Sequence, residues 1–359
     1  MDLREALVRK LFYAIDNLTR ILDMGKIRVF GIGHGTVLSS LIKAIELSRD
    51  KKLEGLWHDK IGGYSVEDIE VIGLSDINCE KIRGNRFHAI PGLLLDDIAV
   101  LRDYLGSLCT SDPENFKREL RKTEPDIVLL AINSGEEKTS RRYAEISMEL
   151  NASFINTTPE IIARDQKLFS GFIERDIILV GDDLLSSIGG TMIHKSIAEF
   201  FSKRNLRILR SYQLDISGTL ETLVTSDENI RMKKREVKSQ SIGIEGVEKI
   251  TAGTTDYVPF LEDQRISHIY MEILGPLSKI YRIEIKYWSY DGSSSVNTVL
   301  DTIRAVAYSV RKYGGDKELL RRYAEIISAY GFKAPPRLIK YGEALELFEK
   351  IFARRDIVA

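Results

Sequence analysis

The chain has only two cysteines, Cys79 and Cys109, among 359 residues, and they form no CxxC pair. A structural zinc framework and a disulfide scaffold are therefore not expected, and a reducing, cytosolic setting is. Charge of one sign is also lacking: 52 lysines and arginines stand against 53 aspartates and glutamates. Such a balance gives no overall field to draw the chain to nucleic acid or an anionic membrane. No apolar run reaches the length of a membrane-spanning helix; the longest, such as DIVLLAI and DIILVG, have the length of core strands. The N-terminal MDLREALVRKLFYAID is charged and amphipathic and does not read as a signal peptide.

What is present is a chain long enough for two cores, with 43% hydrophobic residues. Lys26 to Phe30 reads as a buried strand that runs into Gly31-Ile32-Gly33-His34-Gly35, with a helix over Ser39 to Leu47. Further short apolar runs are Ile69 to Leu74, ending at Asp76, then Asp126 to Ala131 and Asp176 to Val180. Strands alternating with helices predict an α/β fold with a doubly wound parallel sheet. From about Arg204 the pattern changes to strands at Ile266–Ile273 and Ile280–Ser289, which predicts a mixed sheet in a second, α+β domain. Helical spacing returns at Asn297–Tyr313 and Lys317–Tyr330.

A glycine turn between a first strand and its helix lets a dinucleotide's pyrophosphate approach free amides and the positive end of the helix. Gly31, Gly33, His34 and Gly35 are thus candidate cofactor contacts, although GxGxG is a weaker signal than GxGxxG. Replacing Gly33 by valine is expected to abolish NAD binding and leave the fold intact. Asp76 has the strand-terminal position of a ribose-binding carboxylate, which favours NAD over NADP. It lies beyond the usual offset of about 20 residues from the glycines, which implies an insertion over Lys51 to Glu67. Gly181 to Thr191, a strand end followed by small polar residues, could hold a phosphate or the nicotinamide end of the cofactor; it could equally be an ordinary helix cap.

INTTPEIIARD, LVGDDLLSSIGGTMIHKSIAEFF, RSYQLDISGTLETL, KKREVKSQSI, ITAGTTDYVPFLED, SYDGSSSVNTVLDTIRA and SAYGFKAPP follow one another in this order. Together they resemble the signature blocks of myo-inositol-1-phosphate synthases, especially the shorter prokaryotic type. GLWHDKIGGYSVEDIEVIGLSDIN extends the resemblance to the N-terminal half and accounts for the distant Asp76. The resemblance implies a Rossmann-like NAD domain over residues 1–195, an inserted α+β catalytic and oligomerisation domain over 196–295, and C-terminal helices over 296–359 that return to the first domain.

It also implies an isomerase of inositol biosynthesis that is cytoplasmic and tetrameric. Its reaction would be a redox-neutral cyclisation of glucose 6-phosphate: oxidation at C5, loss of a C6 proton, attack of the enolate on the C1 aldehyde, and reduction. By position in the blocks, Lys238 and Lys333 correspond to catalytic lysines, with Lys195 and Asp301 as further candidates. Asn133, Asn156, Thr158, Asp182, Asp183, Ser186 and Asp291 would contact cofactor, and Ser187, Gly190, Thr191 and Asp256 substrate. The sequence does not identify a metal site, and a divalent ion is an open addition to NAD.

Departures from the pattern put the activity in question. The family's GDD-x-K has Leu185 in place of lysine, GGN-x-D becomes Gly218-Thr219-Leu220-Glu221, and D-S-P-N-S becomes Asp291-Gly292-Ser293-Ser294-Ser295. Lys195 or a metal could cover the missing cation. Alternatively the chain acts on another sugar phosphate, or binds NAD without catalysis. An ordinary dehydrogenase ranks last, because no Ser-x-x-x-Tyr-x-x-x-Lys set stands out.

Overall fold

The computed structural model describes residues 25–51, 53–242 and 249–353; the expected opening helix lies outside the described residues. One sheet contains β1 (Ile27–Ile32), β2 (Ile69–Asp76), β3 (His88–Pro91), β4 (Ile127–Leu130), β5 (Ser153–Asn156) and β6 (Leu179–Val180). All its pairings are parallel, in the order β3-β2-β1-β4-β5-β6. β1 and β4 lie at its centre, covered on both faces, which explains why IRVFGI and IVLL are continuous apolar runs. The strand order reverses between β1 and β4, and the carboxyl ends of the strands open there into a crevice, the usual ligand position in such sheets.

The covering helices include α1 (Thr36–Asp50), α2 (Pro113–Thr123), α3 (Glu137–Glu149) and α4 (Gln166–Ile173). α2 starts where it does because Asp112 accepts hydrogen bonds from the amides of Glu114 and Asn115, with Pro113 in its first turn. It buries Phe116 and Leu120, and Phe116 meets the Tyr143 ring of α3 edge-on at 5.0 Å. Truncating Phe116 to alanine would cost about 3 to 5 kcal/mol.

The second sheet contains β7 (Arg207–Ser217), β8 (Lys249–Tyr257), β9 (Gln264–Leu274) and β10 (Ile280–Tyr290), in the order β10-β9-β7-β8. It is mixed, as expected: β7 pairs antiparallel with β9 and parallel with β8. A parallel pair needs a crossover, and α6 (Glu228–Ile242) lies in this one. α5 (Gly190–Ser202) covers one face, where Ala198 clusters with Ile208, Ile269, Met271 and Ile273. The other face leaves Tyr212, Leu214, Trp288 and Tyr290 exposed.

The chain then returns to the first sheet through α7 (Asp291–Tyr313), α8 (Lys317–Gly331) and α9 (Tyr341–Phe348), with α7 against α1. The boundaries expected near 195 and 295 fall inside α5 and α7. Within the insertion before β2, Arg304 of α7 donates to the carbonyls of His58 and Asp59, each at 3.1 Å.

One expectation is corrected: Cys79 and Cys109 are joined by a disulfide, with their Cα atoms 5.0 Å apart. The strand-end loop after β2 brings them together across a 30-residue separation that no spacing motif reveals. The cysteines therefore give no support to a reducing setting. Among the described residues, no helix is long and apolar enough to cross a membrane.

Candidate functional site

A cleft of about 800 Å³ lies between the two sheets, at the carboxyl ends of the parallel strands. The turn after β1 forms one wall. Gly33 has φ +88°, and a Cβ there would stand 2.4 Å from the Ala131 carbonyl oxygen, so glycine is required by the fold itself. The expectation that Gly33→Val leaves the protein folded is thereby corrected. Gly35 differs: among the described residues a Cβ on it meets nothing within 4 Å, and it caps α1 with no side-chain hydrogen bond. The first amides of α1 thus lack a side-chain cap, and free amides at a helix start suit a pyrophosphate.

Asp76 ends β2 beside this turn, where its Oδ2 accepts from the His34 amide and its Oδ1 from the Asn78 amide, both at 2.8 Å. Lys81 Nζ lies 3.5 Å from Oδ2. The His34 ring has a buried Nδ1 without a partner, and burial, then Lys81, lowers its pKa. Among the described residues the ring thus keeps a hydrogen-bonding atom to spare beside the β1 turn, and its lowered pKa favours the neutral form. These features fit a dinucleotide with its ribose at Asp76.

Lys333 and Asp183 form the next part of the wall, Nζ donating to Oδ1 at 2.7 Å. Lys238 lies opposite on α6, buried, and donates to Asp215 of β7. Burial opposes the Asp215 charge, but Lys238 and Arg265 outweigh it and hold the carboxyl well below the usual carboxylate range. Arg265 makes a two-pronged contact with Asp291, Nε to Oδ1 at 2.6 Å and Nη2 to Oδ2 at 2.7 Å. Lys234, one turn before Lys238, donates to Glu221, which also accepts from the Ser134 amide at 2.9 Å.

The cleft therefore gathers Gly33, His34, Gly35, Asp76 and Asn133 at the end beside the β1 turn. Thr158, Asp183, Ser186, Gly190, Thr191, Lys238, Asp291 and Lys333 also line it. Sequence reasoning missed Asp215, Arg265 and Lys234 as site residues. The i, i+4 spacing of Lys234 and Lys238 was a signal for one of them, since it puts both on one helix face.

Other candidates lie elsewhere. Gly31 is packed under Leu38, whose Cδ2 would stand 2.5 Å from an added Cβ. Asn156 and Asp182 are buried partners, Nδ2 to Oδ1 at 2.7 Å, and Asp182 also accepts from the amides of Ile162 and Ala163. They shape the loop after β5 from within. Ser187 is buried, and its amide and hydroxyl both donate to the Ser294 carbonyl, at 2.8 and 2.7 Å.

Asp256 is exposed on β8 and is not among the residues lining the cleft. Asp301 is buried in α7, where Arg304 at 2.6 Å, and His58 and Tyr330 each at 2.7 Å, surround it. Lys195 sits 5.3 Å from the Tyr341 ring centre, and burial lowers its pKa to about 8. It does not line the cleft, so it does not replace the missing lysine. Leu185 itself is buried with Met192 and Tyr341 in an apolar cluster. Among the described residues no group of three or more His, Cys, Asp or Glu side chains could hold a metal ion.

Residues 189–292, which include all four strands of the second sheet, match the profile of the family described as Myo-inositol-1-phosphate synthase. The inositol-3-phosphate synthase of Mycolicibacterium smegmatis is 26% identical over 354 residues, covering 87% of this chain and 94% of that protein. Along most of its length the chain is thus similar to proteins of the myo-inositol-1-phosphate synthase family. Another member, the inositol-3-phosphate synthase of Corynebacterium glutamicum, is 27% identical, covering 91% of this chain and 98% of its own. The crystal structure of the family member from Caenorhabditis elegans, titled inositol-3-phosphate synthase, superposes with a TM-score of 0.72. It is 12% identical and covers 91% of this chain and 85% of that one, so it bears on the Rossmann-like fold alone. Leu185, where the resemblance implied a lysine, is an apolar side chain turned into its own cluster, and Glu221 pairs with Lys234.

Proposed function

We propose that the chain is an NAD-dependent synthase that cyclises glucose 6-phosphate to inositol phosphate with no net redox change. The observation that carries this reading is the convergence of Lys238 and Lys333, from distant segments, on the same cleft as the β1 turn. NAD, when bound, would supply oxidising and then reducing equivalents. The amides at the start of α1 would hold its pyrophosphate, and Asp76 would accept from its ribose hydroxyls. A 2′-phosphate would meet the Asp76 carboxylate, so NAD is favoured over NADP.

Enolisation and aldol closure each place negative charge on an oxygen, and the substrate carries a phosphate. Lys333, Lys234, Lys238 and Arg265 present fixed positive donors for these groups, and donors already in place stabilise developing charge without reorganisation. A lysine in such surroundings can also pass a proton. The two layers would keep water from the reacting carbons.

This reading includes a cytoplasmic homo-oligomer, a tetramer, formed through the open face of the second sheet. It also retains a division into an NAD-binding part, an inserted catalytic part and returning helices.

Leu185 favours one second reading: with a cation fewer, the same cleft would act on a related sugar phosphate. The test is to incubate the purified protein with NAD and glucose 6-phosphate and follow products by NMR and NADH by absorbance. Inositol phosphate without accumulating NADH is expected. Turnover of other sugar phosphates alone would favour the second reading, accumulating NADH a dehydrogenase, and no turnover a non-catalytic NAD-binding protein.

A further inference from the structure

On the second-sheet side of the cleft the charges alternate: Lys238 on α6, Asp215 on β7, Arg265 on β9 and Asp291 at the start of α7. Lys238 Nζ donates to Asp215 Oδ2, and Arg265 Nη1 lies 3.5 Å from that same oxygen. Arg265 then grips both oxygens of Asp291. Each of these residues lines the cleft.

Asp215 is the inner member, 1% exposed. Gln213 Nε2 donates to its two oxygens at 2.9 and 3.1 Å, and Gln213 is in turn hydrogen-bonded by His194. Removing a carboxylate from water costs several kcal/mol unless partners compensate. One cation would be enough to neutralise it. Two cations meet at its Oδ2, Lys238 and Arg265, with Asp291 as the second carboxylate of Arg265, and all four side chains line the cleft, so Asp215 fixes where the two cations stand relative to each other.

The ionisable groups around Lys238 are Asp215 on β7, Arg265 on β9, Lys333 after α8, Lys234 on its own helix and His194 on α5. Burial keeps His194 neutral near pH 7, with a pKa lowered to about 4. Burial, Arg265 and Lys333 all favour the neutral amine at Lys238, and Asp215 is the group that opposes them.

We propose that Asp215 is a positioning residue that keeps Lys238 an ammonium and sets it beside Arg265 as a paired cation site for an anionic oxygen of the substrate. The assignment of that oxygen to a sugar phosphate or its enolate rests on the synthase reading; the pairing itself does not.

The test is a pair of measurements on the full-length protein with Asp215→Asn, which keeps the shape and removes the charge. The side-chain NMR signal of Lys238 in 13C-lysine-labelled protein, assigned by its loss in Lys238→Arg, is titrated with pH. In Asp215→Asn its midpoint is expected to fall by about one unit or more, a tenfold change in the proton equilibrium. The alkaline limb of kcat/KM should move down with it, and NAD affinity should remain. An unchanged midpoint overturns the proposal.

If Asp215→Asn does not fold, Asp215→Glu keeps the charge and displaces it. A near-normal lysine titration with turnover down at least about tenfold then supports positioning, and normal turnover overturns it. A wild-type protein that makes no inositol phosphate refutes the synthase reading and leaves the lysine titration to decide on Asp215.

Discussion

Lys333 and Asp183 are joined twice, once between side chains at 2.7 Å and once from the Lys333 amide to the Asp183 carbonyl, also at 2.7 Å. The backbone bond holds the segment after α8 against the end of β6, so the ammonium is placed by the main chain as well as by its ion pair. Lys333→Ala is therefore expected to keep the fold and NAD binding but lose about a hundred- to a thousandfold in turnover of glucose 6-phosphate. Lys238→Ala should lose as much activity. It should also lose about 3 kcal/mol of stability, because it removes one partner from a buried pair. The double variant should be little slower than either single one if the two act as a unit. Steady-state kinetics with urea denaturation checks all three.

At the β1 turn, two glycines two positions apart should respond in opposite ways. Gly35→Val projects into open space and should cost about 1 kcal/mol as a poorer helix cap. It should weaken NAD binding by at least about tenfold, since its side chain would occupy the pyrophosphate's place. Gly33→Val should instead fail to fold, because its Cβ would collide with the Ala131 carbonyl. Calorimetry and thermal melts separate the two, and unchanged NAD affinity in a folded Gly35→Val protein would count against the turn as a cofactor site.

Glu136 lies buried on the cleft wall. Burial, then Asp96, Asp76, Glu221 and Glu160, raises its pKa from 4.5 to about 8. Between those two values the folded chain holds a proton there that the unfolded chain has lost. Stability from this group is thus full below about pH 4.5, falls as pH rises, and is gone above about pH 8. Glu136→Gln should flatten that decline, gaining on the order of 1 kcal/mol per pH unit across the window. Denaturant melts at a series of pH values will show it.

The open face of the second sheet carries the stacked pair Tyr212 and Tyr270, with ring centres 5.2 Å apart, and an exposed Trp288. The rings share this face with the ion pairs of Arg210 and Arg282 to Glu272, and exposed aromatic groups rimmed by polar ones mark association surfaces. Sedimentation should show an oligomer at working concentration, and Trp288→Glu or Tyr212→Glu should shift it to smaller species. A clean monomer for the unaltered protein would contradict the assembly.

The parallel sheet could be read from sequence wherever a strand carried an apolar run. β1, β2 and β4 stood out, whereas β3 (HAIP) and β5 (SFIN) hold only two apolar residues each, between His88 and Pro91 and between Ser153 and Asn156. β7 alternates buried and less buried residues along RILRSYQLDIS, but the alternation passes through Arg210 and Asp215 and so does not look apolar. The site divided in the same manner. Gly33, Gly35 and Asp76 could be placed on the cleft wall because strand–turn–helix geometry fixes where they point. Asn156, Asp182 and Asp301 were placed in the site because a polar residue in a matching block does not reveal which way it faces. All three turn inward and tie the backbone or the core. Asp215 and Arg265 went unnoticed because their meaning arises from strand pairing, which brings β7 beside β9.

The bond from Ser187 to the Ser294 carbonyl fastens together the two places where the chain passes between the layers. Movement of one layer against the other is restrained along that line. A second tie is a small apolar cluster, Ile98, Leu101 and Leu105 against Leu223 and Val224, together with Glu221 reaching Ser134. Glu221 is also the partner of Lys234. One carboxylate thus serves both the tie between the layers and a cation of the site, so the placing of Lys234 and the closeness of the two layers there are a single arrangement.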